Sequence, residues 1–303
     1  MSDFVDWRAF DYDAAQVQLW IFKKSITAEK FRAWHVKTDD DLENLFRASV
    51  KASVEKTSEH IGYTPISQNN ESSCLVHALE DSDGVVSLLN LVDAPENENV
   101  LARLKDLRGA AGYLVKFQVE DEVVYAVRRT PPTWKPKIRS SMINAVFHDG
   151  ELSAVPDETF AFDAFFDFYC INETVLVMSK RAYESAMAEK KAYSRNFDDL
   201  VVDPVFTSMF VDVEPLKAYV GSNAMHLRRI AVIQQKALYL RPGFSQKVKQ
   251  VSVARNFGLN FDQNDKIVAC GATAKTILQI LLDHRLLSEI TDTIYDVPDA
   301  AAL

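Results

Sequence analysis

The chain has 303 residues, 48% of them hydrophobic, with 43 Asp and Glu against 34 Lys and Arg and a formal net charge of −9. That is enough apolar material for one large or two modest cores, and 9 Gly with 10 Pro is too few for a fibrous or low-complexity chain. Three scattered cysteines, Cys74, Cys170 and Cys270, give neither a disulfide framework nor a CxxC zinc site and fit a reducing compartment.

The first residues, MSDFVDWRAFDYD, lack the cationic start and apolar core of a signal peptide. No run approaches the ~18 apolar residues of a membrane span, so the expectation is a cytoplasmic protein that meets a membrane only through a partner. QVQLWIF, from Gln16 to Phe22, sets Val17, Leu19 and Ile21 against Gln18, Trp20 and Phe22, the alternation of a strand with aromatics on its second face. Thr38 and three aspartates then precede Leu42, Leu45, Phe46, Val50 and Val54 at helical spacing, which predicts a helix from about Asp39 to Ser58. The aspartates complement the orphan amides and dipole of its first turn.

DAPENEN, Asp93 to Asn99, has no apolar period and suggests a boundary, dividing the chain into 1–108 and 109–303. YLVKFQVEDEVVYAVRR predicts a hairpin of Tyr113 to Val119 and Val123 to Val127, turning around Glu120 to Glu122. The stretch RRTPPTWKPKIR, Arg128 to Arg139, begins where that strand ends, and its three prolines predict an exposed loop. A second hairpin is expected in FFDFYCINETVLVMSK, turning at Asn172 and Glu173, followed by a helix from Ser179 to about Ser194 with Ala182, Tyr183, Ala186 and Met187 on one face.

Glu214 and Pro215 open a further helix, interrupted at Gly221-Ser222-Asn223. From Ala224 to Leu240, Leu227, Ile230, Ala231, Gln234 and Leu238 share a face, with Arg229 and Lys236 opposite. Ser245 is placed to cap the next helix and Gly258 to close it. KIVAC reads as a strand, Thr273 to His284 as a helix and ITDTIYDV as a β-like tail, with no internal repeat. The fold class expected is α+β: mixed strands and helices in the N-terminal half, β-hairpins in the middle and a helix-rich C-terminal region.

Chemistry-bearing motifs are scarce. GATAKT, Gly271 to Thr276, sits where a phosphate loop would, but alanine occupies both glycine positions, Ala274 and Ala269, leaving a strand-to-helix turn in which Gly271 allows close approach. The six histidines form no HxxxH or HxH pair, Cys74 near His77 lacks a third group, and His226 beside Arg228 and Arg229 is a lone histidine. No catalytic residue, metal site or cofactor is expected.

Charge distribution says more. Residues 123–148 hold Arg128, Arg129, Lys135, Lys137 and Arg139 with no acid, and residues 215–261 hold Lys217, Arg228, Arg229, Lys236, Arg241, Lys247, Lys249 and Arg255 with none. These windows carry +5 and +8, leaving −22 for the remainder. Such segregation fits a polyanion-binding face on an otherwise repellent surface, with phosphate contact and little base reading. Trp134 is placed either to stack on an unpaired base or to cover the hairpin.

The succession VVYAVRR, FHDGELSAVPDETFAF and FFDFYCINETVLVMSKRAYESAM resembles the KwaB family of the Kiwa anti-phage system, over about residues 110–290. The similarity rests on the strand ending in basic residues, the Phe147 to Gly150 turn, the Phe166-Asp167 pair and the step through Ser179-Lys180 into Tyr183-Glu184. Family members commonly carry phenylalanine where this chain has Tyr183. The resemblance implies a DNA-binding effector, dimeric or of higher order, held at the inner membrane by a small multi-span partner, KwaA, and it implies no catalytic residue.

The charge pattern and the resemblance together predict a non-enzymatic protein that binds phage DNA. One part of its face is Arg128, Arg129, Lys135, Lys137 and Arg139, and the other is Arg228, Arg229 and Lys236, with Arg241, Lys247 and Lys249 beyond. Two alternatives stay open: a regulatory subunit that docks on a membrane partner without nucleic acid, and an unrecognised nuclease.

Overall fold

The computed structural model describes residues 7–24, 31–94, 99–101, 109–130, 145–148, 150–154, 162–187, 189–287 and 293–296. The chain forms two compact units, one of Met1–Tyr63 with Gln68–Met187 and one of Thr64–Ser67 with Ala188–Leu303.

The first unit is built on strands β1 (Gln16–Lys24), β2 (Phe31–Val36), β3 (Glu59–Gly62), β4 (Ser73–Ala78), β5 (Gly112–Val119), β6 (Glu122–Arg129), β9 (Phe168–Ile171) and β10 (Thr174–Val177). They form one sheet in the order β2-β1-β5-β6-β9-β10-β4-β3, antiparallel throughout except for β3 beside β4. Strands β7 (Ala145–His148) and β8 (Glu151–Ala154) form a separate hairpin. The boundary placed at 108 falls among residues outside those described, and β1 and β5, on either side of it, pair directly in this sheet.

Both sheet faces are covered, for a reason visible in β1. Leu19 and Ile21 join one core with Val115, Phe117, Val124, Ala126 and Tyr169, while Trp20 and Phe22 join another with Leu114, Val127, Phe168 and Cys170. A strand apolar on both faces must be covered on both. Helix α1 (Asp40–Lys56) leads from edge strand β2 to β3 at the opposite edge and packs Phe46, Val50 and Val54 on the first face. Asp39 caps it, accepting from the Leu42 amide at 2.9 Å, with Asp40, Asp41 and Glu43 in the first turn. Helix α2 (Asp83–Asp93) covers the second face with Val85, Leu88, Leu89 and Val92, joined by Tyr183, Ala186 and Met187 of α3 (Lys180–Met187).

Both hairpins turn on two residues, the first of each, Glu120 (φ 49°) and Asn172 (φ 51°), being left-handed. A Cβ on Gly112 would lie 2.5 Å from the Arg128 carbonyl and 2.5 Å from the Phe22 ring, so only glycine lets β5 pass there. The predicted helix from Ser179 to Ser194 is observed as α3 followed by α4 (Glu189–Leu200).

The second unit packs α4, α5 (Pro204–Ser208), α6 (Glu214–Val220), α7 (Ala224–Lys236), α8 (Phe244–Ala254) and α9 (Ala274–Leu281) around Phe206, Phe210, Leu216, Leu227, Ile230, Ile233, Ile277 and Leu278. Short hairpins β11 (Asn260–Phe261) with β12 (Ile267–Val268) and β13 (Arg285–Leu287) with β14 (Ile294–Asp296) accompany them. Asn223 caps α7 through the amides of Met225 and His226. This helix stops at Lys236 rather than running to Leu240, because Ala237 turns left-handed (φ 46°) and Leu238–Leu240 form a 3-10 turn. Helix α8 begins one residue before Ser245, on left-handed Gly243, and the chain turns left-handed at Asn256 before Gly258 is reached. Gly271 allows no close approach: a Cβ there would meet nothing within 4 Å.

Where α3 meets β4, the Tyr183 hydroxyl lies 2.9 Å from His77 Nε2 and donates to Ser82 Oγ at 2.8 Å, and Tyr63 stacks on the imidazole at 4.7 Å. The contacts to His77 and Ser82 use the Tyr183 hydroxyl that phenylalanine would lack. Burial lowers the His77 pKa to about 4, against the pull of Asp81. Below the ordinary histidine pKa near 6.5 the unfolded chain takes up this proton before the folded one does, so stability falls with pH between about 6.5 and 4. Urea unfolding at pH 5 should show a loss of about 2 kcal/mol relative to pH 7 from this group, and His77→Gln should flatten that dependence.

Candidate nucleic-acid interface

Arg128 and Arg129 end β6, and neighbours on a strand point to opposite faces. Arg128 lies on the α1 side with Val124 and Ala126, so the two arginines do not share a surface. Its Nε donates to Asp163 at 2.8 Å and its Nη1 to Asp167 at 2.6 Å, its guanidinium lies 4.1 Å from the Phe165 ring centre, and its side chain is 16% exposed.

Asp167 is 1% exposed. Its other carboxylate oxygen accepts from the Arg129 amide at 2.7 Å, its own amide donates to the Val127 carbonyl, and its carbonyl accepts from the amides of Met178 and Ser179. Burial raises its pKa, opposed first by the Arg129 amide and then by Arg128. One residue thus joins the end of β6, the start of β9, the end of β10 and the approach to α3. Lys135, Lys137, Arg139 and Trp134 lie outside the described residues.

The second group belongs to the helical unit. Arg228 and Arg229 are half-buried on α7, and Lys236 donates to the Leu282 carbonyl at 3.1 Å, just past the end of α9, where a cation is favoured. Lys249 pairs with Asp265, and Lys217 with Glu214 at 2.6 Å. An acid-free window in sequence is therefore not acid-free in space: both carboxylates come from just outside it.

Arg241, Lys247 and Arg255 are exposed, with no ion pair among the described residues. Arg241 precedes α8, Lys247 lies in its first two turns and Arg255 follows its end, so the three mark out a helix about 17 Å long. The exposed positions between Leu240 and Asn256 include no acid. The helical unit has 14 Lys and Arg against 13 Asp and Glu, a net of +1, which leaves −10 for the sheet unit.

Two cations that the sequence windows omit, Lys23 and Arg32, stand opposite each other across β1 and β2. Strand register alone reveals such a pair, and the connection between these strands carries no motif that sets it.

His226 is half-buried and stacked on Tyr219 at 4.5 Å, with Nδ1 3.2 Å from the Tyr219 carbonyl oxygen. Cys74 and His77 face opposite sides of β4, and burial pushes the Cys74 thiol up to about 12, so they form no dyad. Among the described residues no group of three His, Cys, Asp or Glu side chains is placed to hold a metal ion.

These features define an α+β protein of two compact units, the second exposing Arg241, Lys247 and Arg255 with no ion pair among the described residues. Residues 107–291 match the family described as Kiwa protein KwaB-like, and since they are more than half of the chain, it belongs to that family and is a component of the Kiwa anti-phage defence system. No curated protein and no solved structure matches the chain. The matched residues include β5, β6, β9 and β10, the four consecutive central strands of the sheet, and most of the helical unit.

Removing one partner of the Arg128–Asp167 pair strands a buried charge. Arg128→Met should cost about 3–5 kcal/mol in urea unfolding, and Arg128→Met with Asp167→Leu distinctly less, because the double change removes both charges.

Proposed function

We propose that the protein is a non-enzymatic DNA-binding effector of Kiwa defence, which coats phage DNA with little sequence preference and so obstructs its replication or transcription. The observation that carries this reading is the strip marked by Arg241, Lys247 and Arg255: three exposed cations, without an ion pair among the described residues, in a unit far less acidic than the rest of the chain. Cations presented by a helix and its flanks contact phosphates, which position a protein on nucleic acid without reading bases. Arg229, half-buried on α7, and Lys135, Lys137 and Arg139 extend the set. Arg128, engaged by two aspartates, contributes to the fold instead.

No helix among the described residues is long and apolar enough to cross a membrane. The complex we propose is that of a cytoplasmic protein, homodimeric or of higher order, held at the inner membrane by a small multi-span partner of the KwaA kind, as the family resemblance implies. One observation favours a docking role for the same strip, without nucleic acid: Leu240 and Val253 are 53% and 67% exposed beside these cations.

Salt dependence separates the two. Duplex affinity should fall with salt on a log-log plot, and Arg241→Gln, Lys247→Gln and Arg255→Gln together should reduce the slope by about 2.7. Absence of salt-sensitive binding to duplex and single-stranded DNA alike at low ionic strength leaves only the docking role. Incubation of duplex and single-stranded DNA with magnesium or manganese should yield no cleavage products.

A further inference from the structure

The sheet unit carries a feature that its own stability does not explain. Lys23 and Arg32 are register partners across the antiparallel strands β1 and β2, and both lie on the face of Ile21 and Val36. Like charges directly opposite each other destabilise a sheet. The unit holds 30 acidic residues against 20 basic ones, yet neither cation forms an ion pair among the described residues. Arg32 is exposed and Lys23 half-buried.

Trp34 stands two residues along β2 from Arg32, on the same face and about 7 Å away by strand geometry. The indole is half-buried and belongs to none of the hydrophobic clusters, and its ring contact among the described residues is with the Lys23 ammonium, 5.5 Å from the ring centre. Buried indoles in this unit are used differently: Trp7 and Trp20 lie within the cores. A half-buried ring beside two cations that form no ion pair among the described residues has the chemistry of a stacking platform flanked by positive charge.

We propose that Lys23, Arg32 and Trp34 form a subsite for single-stranded nucleic acid, the cations holding backbone phosphate and the indole stacking an adjacent base. This rests on the DNA-binding function proposed above and specifies strandedness. A duplex offers phosphates but keeps its base faces stacked inside, so only an unpaired strand satisfies both halves of the site. Lys23 and Arg32 would gain from an anion a charge compensation that no ion pair among the described residues supplies.

The test uses the full-length protein with a fluorescein-labelled oligo-dT and a duplex of equal length, read by anisotropy. Trp34→Leu should weaken oligo-dT binding by about 5- to 100-fold, Trp34→Phe much less, and neither should change duplex affinity. Lys23→Gln with Arg32→Gln should reduce the oligo-dT salt slope by about 1.4. Arg32→Glu creates an opposite-charge pair across the strands, so it should raise Tm by ~1–3 °C while weakening oligo-dT binding. A merely structural arginine would not separate those two readouts.

If oligo-dT affinity is unchanged by Trp34→Leu, or if duplex affinity falls equally, the subsite is overturned while the DNA-binding function stands. Should Trp34→Leu fail to fold, Arg32→Glu decides alone: undiminished oligo-dT binding overturns the subsite. Binding of neither DNA by the unmodified protein overturns both proposals.

Discussion

The buried carboxylate of Asp167 is the constraint on which the middle of the sheet depends. Removing a carboxylate and a guanidinium from water costs several kcal/mol per ion, and the return depends on geometry and on how many lone pairs are met. Here Arg128 meets one oxygen and the Arg129 amide the other, while the Asp167 backbone bonds to Val127, Met178 and Ser179. Three strands and a helix start are thereby fixed at one place. The basic end of VVYAVRR and the Phe166-Asp167 pair, separate in the sequence that carries the family resemblance, are two halves of this one contact.

The sheet also explains how the family-matched residues and those before them depend on each other. Strands β5, β6, β9 and β10 are central, and FYCI and TVLV of β9 and β10 are buried almost throughout. Such strands expose apolar side chains on both faces and backbone groups on both edges. The first hundred residues supply the missing parts: β1 and β2 extend one edge, β4 and β3 the other, α1 covers one face and α2 the other. The polar sequence DAPENEN therefore separates stretches of chain that share a sheet and its two cores.

Charge follows the same division between sequence and space. Of the cations in the two acid-free windows, Arg128, Lys217 and Lys249 meet carboxylates from outside those windows, and Lys236 meets a helix carbonyl. Exposed Arg241, Lys247 and Arg255 keep the window's character. Conversely Lys23 and Arg32, nine residues apart and unremarkable in composition, become neighbours because β1 and β2 pair in one register.

Local patterns determined the elements. Alternation marked β1 and both hairpins, Asn172 marked a turn, and the aspartates before Leu42 marked the start of α1. Each is a property of a few adjacent residues, set by backbone geometry and by which side chains seek water. Where local signals competed, the fold chose: Leu238 continued the apolar period of α7, but the left-handed turn at Ala237 ended the helix, and α8 began on Gly243 rather than on the capping serine. Tertiary structure alone decided the order of the strands, the burial of Asp167 and which cations meet carboxylates among the described residues. Pairing energies between charges and between strands depend on distance through space, and residues as far apart as 128 and 167 are brought within 3 Å only by the folded sheet.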